Sequence, residues 1–284
     1  MKPVLAVYGN CQAGVFCHAL RRVPAINERY EVVYIQSFGD EDDRPDITPD
    51  QAARCEIYWR QVDEHARFNP DEQLAQARRI TFPAVDLGLY WPFQTHDPLF
   101  GPEPEFPFGR YPYGDRVVVE LSQRTPPPED TTTAYHALAN ERLGNIDRSL
   151  DLELHRLQRR EANADVKIAA FIFSSFRVER LYWAYNHPTS ILLGKLFIRL
   201  AVATWPEAGD PNVEMGRVVA DAFRGWEPFD HQHVPIPQVV AEKLGLIWWG
   251  PSLKYKYLDL YLSEQEYIEE YYKIRRERLE NSSV

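Results

Sequence analysis

Three cysteines and two methionines hold all the sulfur in this chain, and no two cysteines form a Cys-x-x-Cys pair. Cys11, Cys17 and Cys55 cannot all pair with one another, and no tight cysteine–histidine cluster accompanies them, so the sequence supports neither a disulfide framework nor a zinc site. Reduced thiols in a cytoplasmic, metal-free protein are the expectation. Positive charge is also scarce: 32 lysines and arginines face 42 acidic residues, for a net charge of -10. A polyanion would meet net repulsion, which argues against nucleic acid as the main partner. No apolar run reaches the roughly 20 residues that a bilayer needs. The most apolar stretch, SILLGKLFIRLAVATW at 190–205, is interrupted by Lys195 and Arg199 and reads as a buried helix. The opening MKPVLAVYGN is too short in apolar length for a secretory signal and lacks a small-residue cleavage site. Neither GxGxxG nor GxxxxGK[ST] follows the first strand, so dinucleotide redox chemistry and nucleotide hydrolysis have no support.

What is present is a core-forming chain, 44% hydrophobic over 284 residues, enough for one large domain or two closely packed ones. Its first third alternates strand and helix signals: VLAVYG (4–9), a helix from Gln12 to Arg22, YEVVYIQSF (30–38), a helix at 49–53, CEIYWRQV (55–62), a helix at 70–78, and RITFPAV (79–85). Strands separated by short helices imply right-handed crossovers and a parallel sheet, whose ligands gather at the carboxyl ends of the strands. Residues 92–128 carry nine of the 22 prolines and read as an ordered, irregular loop that either covers a site or only packs its aromatics. From residue 130 onward the pattern is helical, including NVEMGRVVADAF at 212–223 and ending in SEQEYIEEYYKIRRERL with a capping box from Ser263 to Glu266. The acidic GDEDD at 39–43 reads as a solvated loop. The expected fold is therefore α/β. Residues 1–130 form the sheet part with the proline-rich loop, and 131–284 form a helical part packed against it in one compact unit.

The chemistry-bearing candidates begin where the first strand ends, at Gly9-Asn10-Cys11-Gln12. A glycine after a strand permits a sharp turn, and a cysteine in the first turn of a helix feels the positive end of its dipole, which favours a thiolate. The same amides can hold an oxyanion, with the amides of Asn10 or Gln12 as extra donors. A buried cysteine filling the strand–helix turn explains the same four residues. A thiol needs a base, and His187 in YNHPTSILL precedes a proline suited to the first helical position, which places His187 near a helix N-terminus that disfavours imidazolium. Its alternative is a plain helix start capped by Asn186, Thr189 or Ser190. Asp230 and His233 form an Asp-x-x-His pair that offers a second base with its orienter. Arg159 with Arg160, and Arg177 with Arg180, are candidates for ligand phosphates, the latter two sharing a face if their segment is helical. LYWPF (89–93) and IWWGPSLKYKY (247–257) are the best candidates for exposed aromatic platforms, and Lys254 and Lys256 can meet phosphates or solvent.

VYGNCQAGVF, ITFPAV, YPYGD, DLELHRLQRREANADVKIAAFI, YNHPTSILL and VPIPQVVAEKLGL stand in an order and spacing that resembles the WcbI-type polysaccharide biosynthesis proteins, across nearly the whole chain. The resemblance implies a coenzyme A-dependent acetyltransferase of capsular sugars, on a sheet similar to that of SGNH hydrolases, with Cys11 where those place serine. It implies roles for Gly9, Asn10, Cys11, Gln12, Asn186, His187 and Pro188. The expected reaction moves an acetyl group from acetyl-CoA to a carbohydrate hydroxyl. Either Cys11 is acylated after His187 takes its proton, or His187 activates the sugar hydroxyl directly. A thioesterase or carbohydrate esterase, and a non-catalytic coenzyme A-binding protein of a glycan assembly complex, are the competing readings.

Overall fold

The structure, a computed structural model, describes residues 1–40, 45–64, 66–206, 218 and 221–282. Residues 41–43 of GDEDD, His65 and most of the expected helix at 212–223 lie outside the described residues. The chain divides into two compact units, each assembled from three stretches. One comprises Met1–Val85, Leu154–Ser174 and Pro188–Pro228; the other comprises Asp86–Glu153, Ser175–His187 and Phe229–Val284. A boundary near residue 130 is thus not where the units part.

The first unit is built on a four-stranded parallel sheet of order β2-β1-β3-β4. The strands are β1 (Val4–Gly9), β2 (Glu31–Gln36), β3 (Cys55–Val62) and β4 (Arg78–Pro83). Every residue of β1 is buried, as expected for a strand covered on both faces in a parallel sheet. Successive side chains alternate between those faces. Val4, Ala6 and Tyr8 join Val33, Ile35, Tyr58, Ile47 and Leu74 in one apolar cluster. On the other face Trp59 meets Phe197 edge-on and Phe16 meets Phe82. Phe197 belongs to the helix Ser190–Thr204, whose Thr204 accepts the Trp59 indole N–H at 2.8 Å. The expected apolar helix at 190–205 is therefore a cover for the sheet, and among the described residues no helix is long and apolar enough to cross a membrane.

Helix α1 (Cys11–Arg21) follows β1 after a single residue, and α3 (Pro49–Ala53, after the short α2, Pro24–Arg29) carries a full capping box from Thr48 to Gln51. The expected helix at 70–78 is instead a run of turns. Asp71 is drawn inward to the Tyr58 hydroxyl at 3.0 Å and the Arg60 guanidinium at 2.8 Å. Those contacts hold the segment by side chains from β3 and leave Leu74 as its one deeply buried anchor.

In the second unit the proline-rich stretch contains a two-stranded ladder of Gln94–Thr95 and Gly114–Asp115, and then a helix, α4 (Arg116–Ser122), that its β-branched sequence does not suggest. Asp115 explains it: its carboxylate accepts the Val117 and Val118 amides and thereby caps the helix. Helix α5 (Thr131–Arg142) and the helix Glu264–Ser282 pack with α4. An aromatic stack of Tyr257, Tyr111 and Tyr271 and a fully buried Asp97–Arg275 ion pair at 2.8 Å complete that core. The expected capping box at Ser263 is present, with Ser263 and Glu266 bonding each other's amides.

Candidate active site

In a parallel sheet of this order, neighbouring strands β1 and β3 lead to crossovers on opposite sides, and a crevice opens between their carboxyl ends. Gly9 and Asn10 lie at that end. A Cβ on Gly9 would fall 2.3 Å from Gln61 Oε1 and 2.5 Å from Gln61 Cβ, so only glycine admits the approach. Asn10 then binds in three directions. Its amide donates to Gln61 Oε1 at 2.8 Å, its Nδ2 donates to Asp63 Oδ2 at 3.0 Å, and its Oδ1 caps α1 by accepting the Gln12 amide at 2.9 Å. The Tyr34 hydroxyl donates to the Asn10 carbonyl at 3.0 Å.

Gln12 is buried, and its side chain acts as a clip. Nε2 donates to the Val85 carbonyl at 2.6 Å while Oε1 accepts the Val85 amide at 3.0 Å and Gln61 Nε2 at 3.1 Å. This is the pairing a neighbouring strand would supply, made by one side chain. Asn10 and Gln12 therefore hold the turn, and their side-chain amides are engaged within the protein.

Cys11 is half-buried, whereas Cys17 and Cys55 are buried; all three are free thiols. Burial pushes the Cys11 thiol up to about 11, against the pull of the Gln12 and Cys11 amides, with Asp63 adding to the rise. The helix terminus does act as the sequence suggests, yet desolvation outweighs it, and the expected thiolate gives way to a neutral thiol.

The arginines separate. Arg160 is buried at the end of the helix Ile146–Glu161; its Nη1 donates to the Ala84 carbonyl at 3.1 Å and its Nε lies 3.8 Å from Glu64. It thus reaches the carboxyl end of the sheet, one residue from the Gln12 clip. Arg159 is exposed. Arg177 and Arg180 do not share a helical face, because the helix Ala169–Ser175 ends before them. Arg177 donates to the Leu244 carbonyl at 2.9 Å. Arg180 lies over the rings of Trp183 and Tyr255 at 4.4 and 5.0 Å.

A second set of groups lies wholly in the other unit, around His187. The helix that follows starts at Ser190 with Thr189 as its N-cap, so His187 lies two residues outside the expected position, in the short extended pair His187–Pro188. Its imidazole stacks on Phe229 at 4.7 Å and 5°, meets Tyr113 edge-on and stands 5.1 Å from the ring of His231. Burial, and then His231, lower its pKa to about 4. The neutral imidazole expected from a helix dipole is found, with desolvation as its cause. The Tyr113 hydroxyl bridges Asn186 Oδ1 at 2.6 Å and His187 Nε2 at 3.2 Å.

His233 is less free. Its Nε2 meets Asp230 at 2.6 Å, its Nδ1 accepts the Lys256 amide at 3.1 Å, and its ring stacks on Trp183 at 4.0 Å. Both ring nitrogens are engaged, so the Asp-x-x-His pair exists but offers no lone pair. Lys256 pairs with Asp230 and Lys254 with Glu266. The expected platform LYWPF is core: Tyr90, Trp91 and Phe93 are 0%, 5% and 1% exposed. In the second expected platform Ile247 is exposed while Tyr255 and Tyr257 are buried.

An open pocket of about 500 Å³, mouth included, lies in the same unit, lined by Trp91, Tyr113, Asp115, Tyr185 and Glu264 among others. Burial raises Asp115 to about 6 and Glu264 to about 7. Sequence reasoning missed Gln61, Asp63, Tyr113 and Glu264 as site residues. For Tyr113 the signal was available in YPYGD; for the others, nothing local marks a residue whose role depends on a distant partner.

The first unit is thus a parallel α/β sheet with a glycine-requiring turn and a helix-start cysteine at its switch point, the place where such sheets take their ligands. Residues 4–204 match the family described as polysaccharide biosynthesis enzyme WcbI, and the chain belongs to that family. A solved structure of WcbI resembles it with a TM-score of 0.71 and 16% identity, covering 96% of this chain and 89% of that one. That structure is described as the native protein without a disulfide bond between coenzyme A and one of its cysteines. No curated protein matches the chain.

Proposed function

We propose that this chain transfers an acetyl group from coenzyme A to a carbohydrate hydroxyl in polysaccharide biosynthesis. The observation that carries the reading is the Gly9–Gln12 turn, which offers the one half-buried cysteine of the chain at the switch point of the sheet. A structural relative described with coenzyme A and a cysteine supports the same donor.

Of the two routes, direct transfer agrees better with a Cys11 held as a thiol at about 11. In this route neutral His187 takes the proton of the sugar hydroxyl, and the oxygen attacks the thioester carbonyl. The backbone of the Gly9–Gln12 turn holds the oxyanion. Collapse expels coenzyme A, whose sulfur recovers the proton from His187, leaving the sugar ester. Cys11 lines the thioester site, while Gly9, Asn10 and Gln12 fix the turn. Of the four arginines we assign Arg160 to the coenzyme's phosphates, supported by its position at the Ala84 carbonyl.

The test measures coenzyme A release from acetyl-CoA with and without glycan acceptors, together with intact mass. Acceptor-dependent release is expected, and Cys11→Ser should lose less than about tenfold in rate, or about 1.4 kcal/mol of barrier. Acetyl trapped on Cys11 would overturn the direct route. Acceptor-independent release would make the chain a thioesterase, and no binding of coenzyme A at millimolar concentration would remove the reading altogether.

A further inference from the structure

A neutral imidazole has one nitrogen that donates and one that accepts, and the partner of one fixes the role of the other. At His187 that partner can be read. The Tyr113 hydroxyl has a single proton and stands 2.6 Å from Asn186 Oδ1 and 3.2 Å from His187 Nε2. A carbonyl oxygen only accepts, so the hydroxyl proton goes to Asn186, along the shorter contact. The tyrosine oxygen is then left with lone pairs toward His187, and Nε2 must supply the hydrogen. Nδ1 is consequently the nitrogen without a proton.

That nitrogen makes no hydrogen bond among the described residues and is shut off from solvent. Buried polar atoms are nearly always paired, so an unpaired one asks for an explanation. The ring around it is fixed rather than loose, stacked on Phe229 at 5° and wedged edge-on against Tyr113 at 79°. His233 shows the contrast, since there Asp230 and the Lys256 amide use both nitrogens.

We infer that Tyr113 and Asn186 are positioning residues that fix His187 as its Nε2–H tautomer and reserve Nδ1 as the atom that takes the substrate's proton. The inference rests on His187 being the base of the proposed transfer. Nδ1 has no solvent-exposed surface in this structure, so the substrate hydroxyl reaches it only when the groups packed over the ring move aside. Asn186 acts at one remove: it claims the tyrosine proton, and the tyrosine oxygen thereby becomes an acceptor for the ring.

The experiment uses the full chain labelled with 15N-histidine at pH 7, with His187 assigned from the spectrum of His187→Gln. Long-range proton–nitrogen correlation should show the Nε2–H tautomer in the unaltered protein. Asn186→Ala frees the tyrosine proton to donate to Nε2 and should move His187 toward the Nδ1–H tautomer. Tyr113→Phe removes the acceptor and should give a mixture. Both variants should lower kcat of acetyl transfer on the order of 10–100-fold, within the range of a misplaced general base, with KM for acetyl-CoA unchanged. An Nδ1–H tautomer in the unaltered protein would overturn the inference, as would variants that keep its tautomer and its kcat. The nitrogen spectra need no substrate. A chain with the expected tautomers that transfers no acetyl group to any acceptor therefore refutes the functional reading, and a chain that transfers acetyl with the opposite tautomer refutes only the inference.

Discussion

Glu264 opens the helix Glu264–Ser282 and lines the aromatic pocket, and replacing it with glutamine tests how much its burial costs the folded protein. Its Oε1 accepts the Gln238 amide at 3.0 Å, and His136 Nδ1 stands 3.9 Å away. The residue is only 8% exposed. Desolvation raises its pKa from 4.5 to about 7, with Asp115 and Glu242 adding to the rise. A carboxyl whose pKa is raised on folding contributes nothing adverse below about pH 4.5, where both states are protonated. Between 4.5 and 7 the unfolded chain ionises first and stability falls; above 7 the loss is complete. At about 1.4 kcal/mol per tenfold change in proton affinity, the loss is about 3 kcal/mol. Glu264→Gln keeps an acceptor for Gln238 and has no charge to bury. Its stability relative to the unaltered protein should therefore rise from about zero at pH 4.5 to about 3 kcal/mol at pH 8. Urea unfolding at several pH values, with the m-value checked for constancy, measures this difference. Because desolvation and not a distant charge is the main cause, added salt should leave it nearly unchanged. A difference independent of pH, or one that grows toward acid, would refute the reasoning.

Two further outcomes follow from the candidate site. Gly9→Ala places a Cβ 2.3 Å from Gln61 Oε1, which should break the Asn10–Gln61 bond and cost about 2–4 kcal/mol by the strain and unsatisfied-group scale; an unchanged urea midpoint would contradict it. His187, with its pKa lowered to about 4, acts as a base only when neutral. The kcat of acetyl transfer should therefore rise as pH increases through about 4 and be flat from 6 to 8, where a profile rising through pH 6.5 would show an unburied histidine at work.

The sheet was legible because its signals are local and redundant. β1, the helix at 49–53 and β3 fall on the predicted bounds, since apolar runs between turn residues leave few alternatives. Cys11 at the start of α1 was legible for the same reason: glycine, an Asx cap and an amphipathic helix follow in four residues. What sequence reasoning missed depends on partners far along the chain. Residues 92–128 read as an irregular loop by their prolines, and Asp115, held by Tyr135 at 2.7 Å, caps a helix at Arg116–Ser122 within them. The segment 70–78 reads as a helix until Asp71 turns toward β3. His187 is neutral as expected, but its neutrality comes from rings at 113, 229 and 231, which no local spacing reveals. The thiolate at Cys11 was expected from the helix dipole alone, and the degree of burial that reverses it is a property of the finished fold.

The assembly of each unit from three stretches bears on how the chain is made. At 5–20 residues per second, on the order of 5–20 s separate the synthesis of Pro83 from that of Ser190. The four strands are complete by Pro83, but the helix that covers Trp59 and Phe16 begins only at Ser190. For the time of synthesis of more than a hundred residues, Trp59 on one face of a finished sheet lacks the helix that covers it. A nascent chain of this order is exposed to self-association and to chaperone capture at the face that later carries the Trp59–Phe197 contact. Moving Ser190–Thr204 ahead of the second unit by circular permutation would shorten that interval without changing a residue of the mature interior.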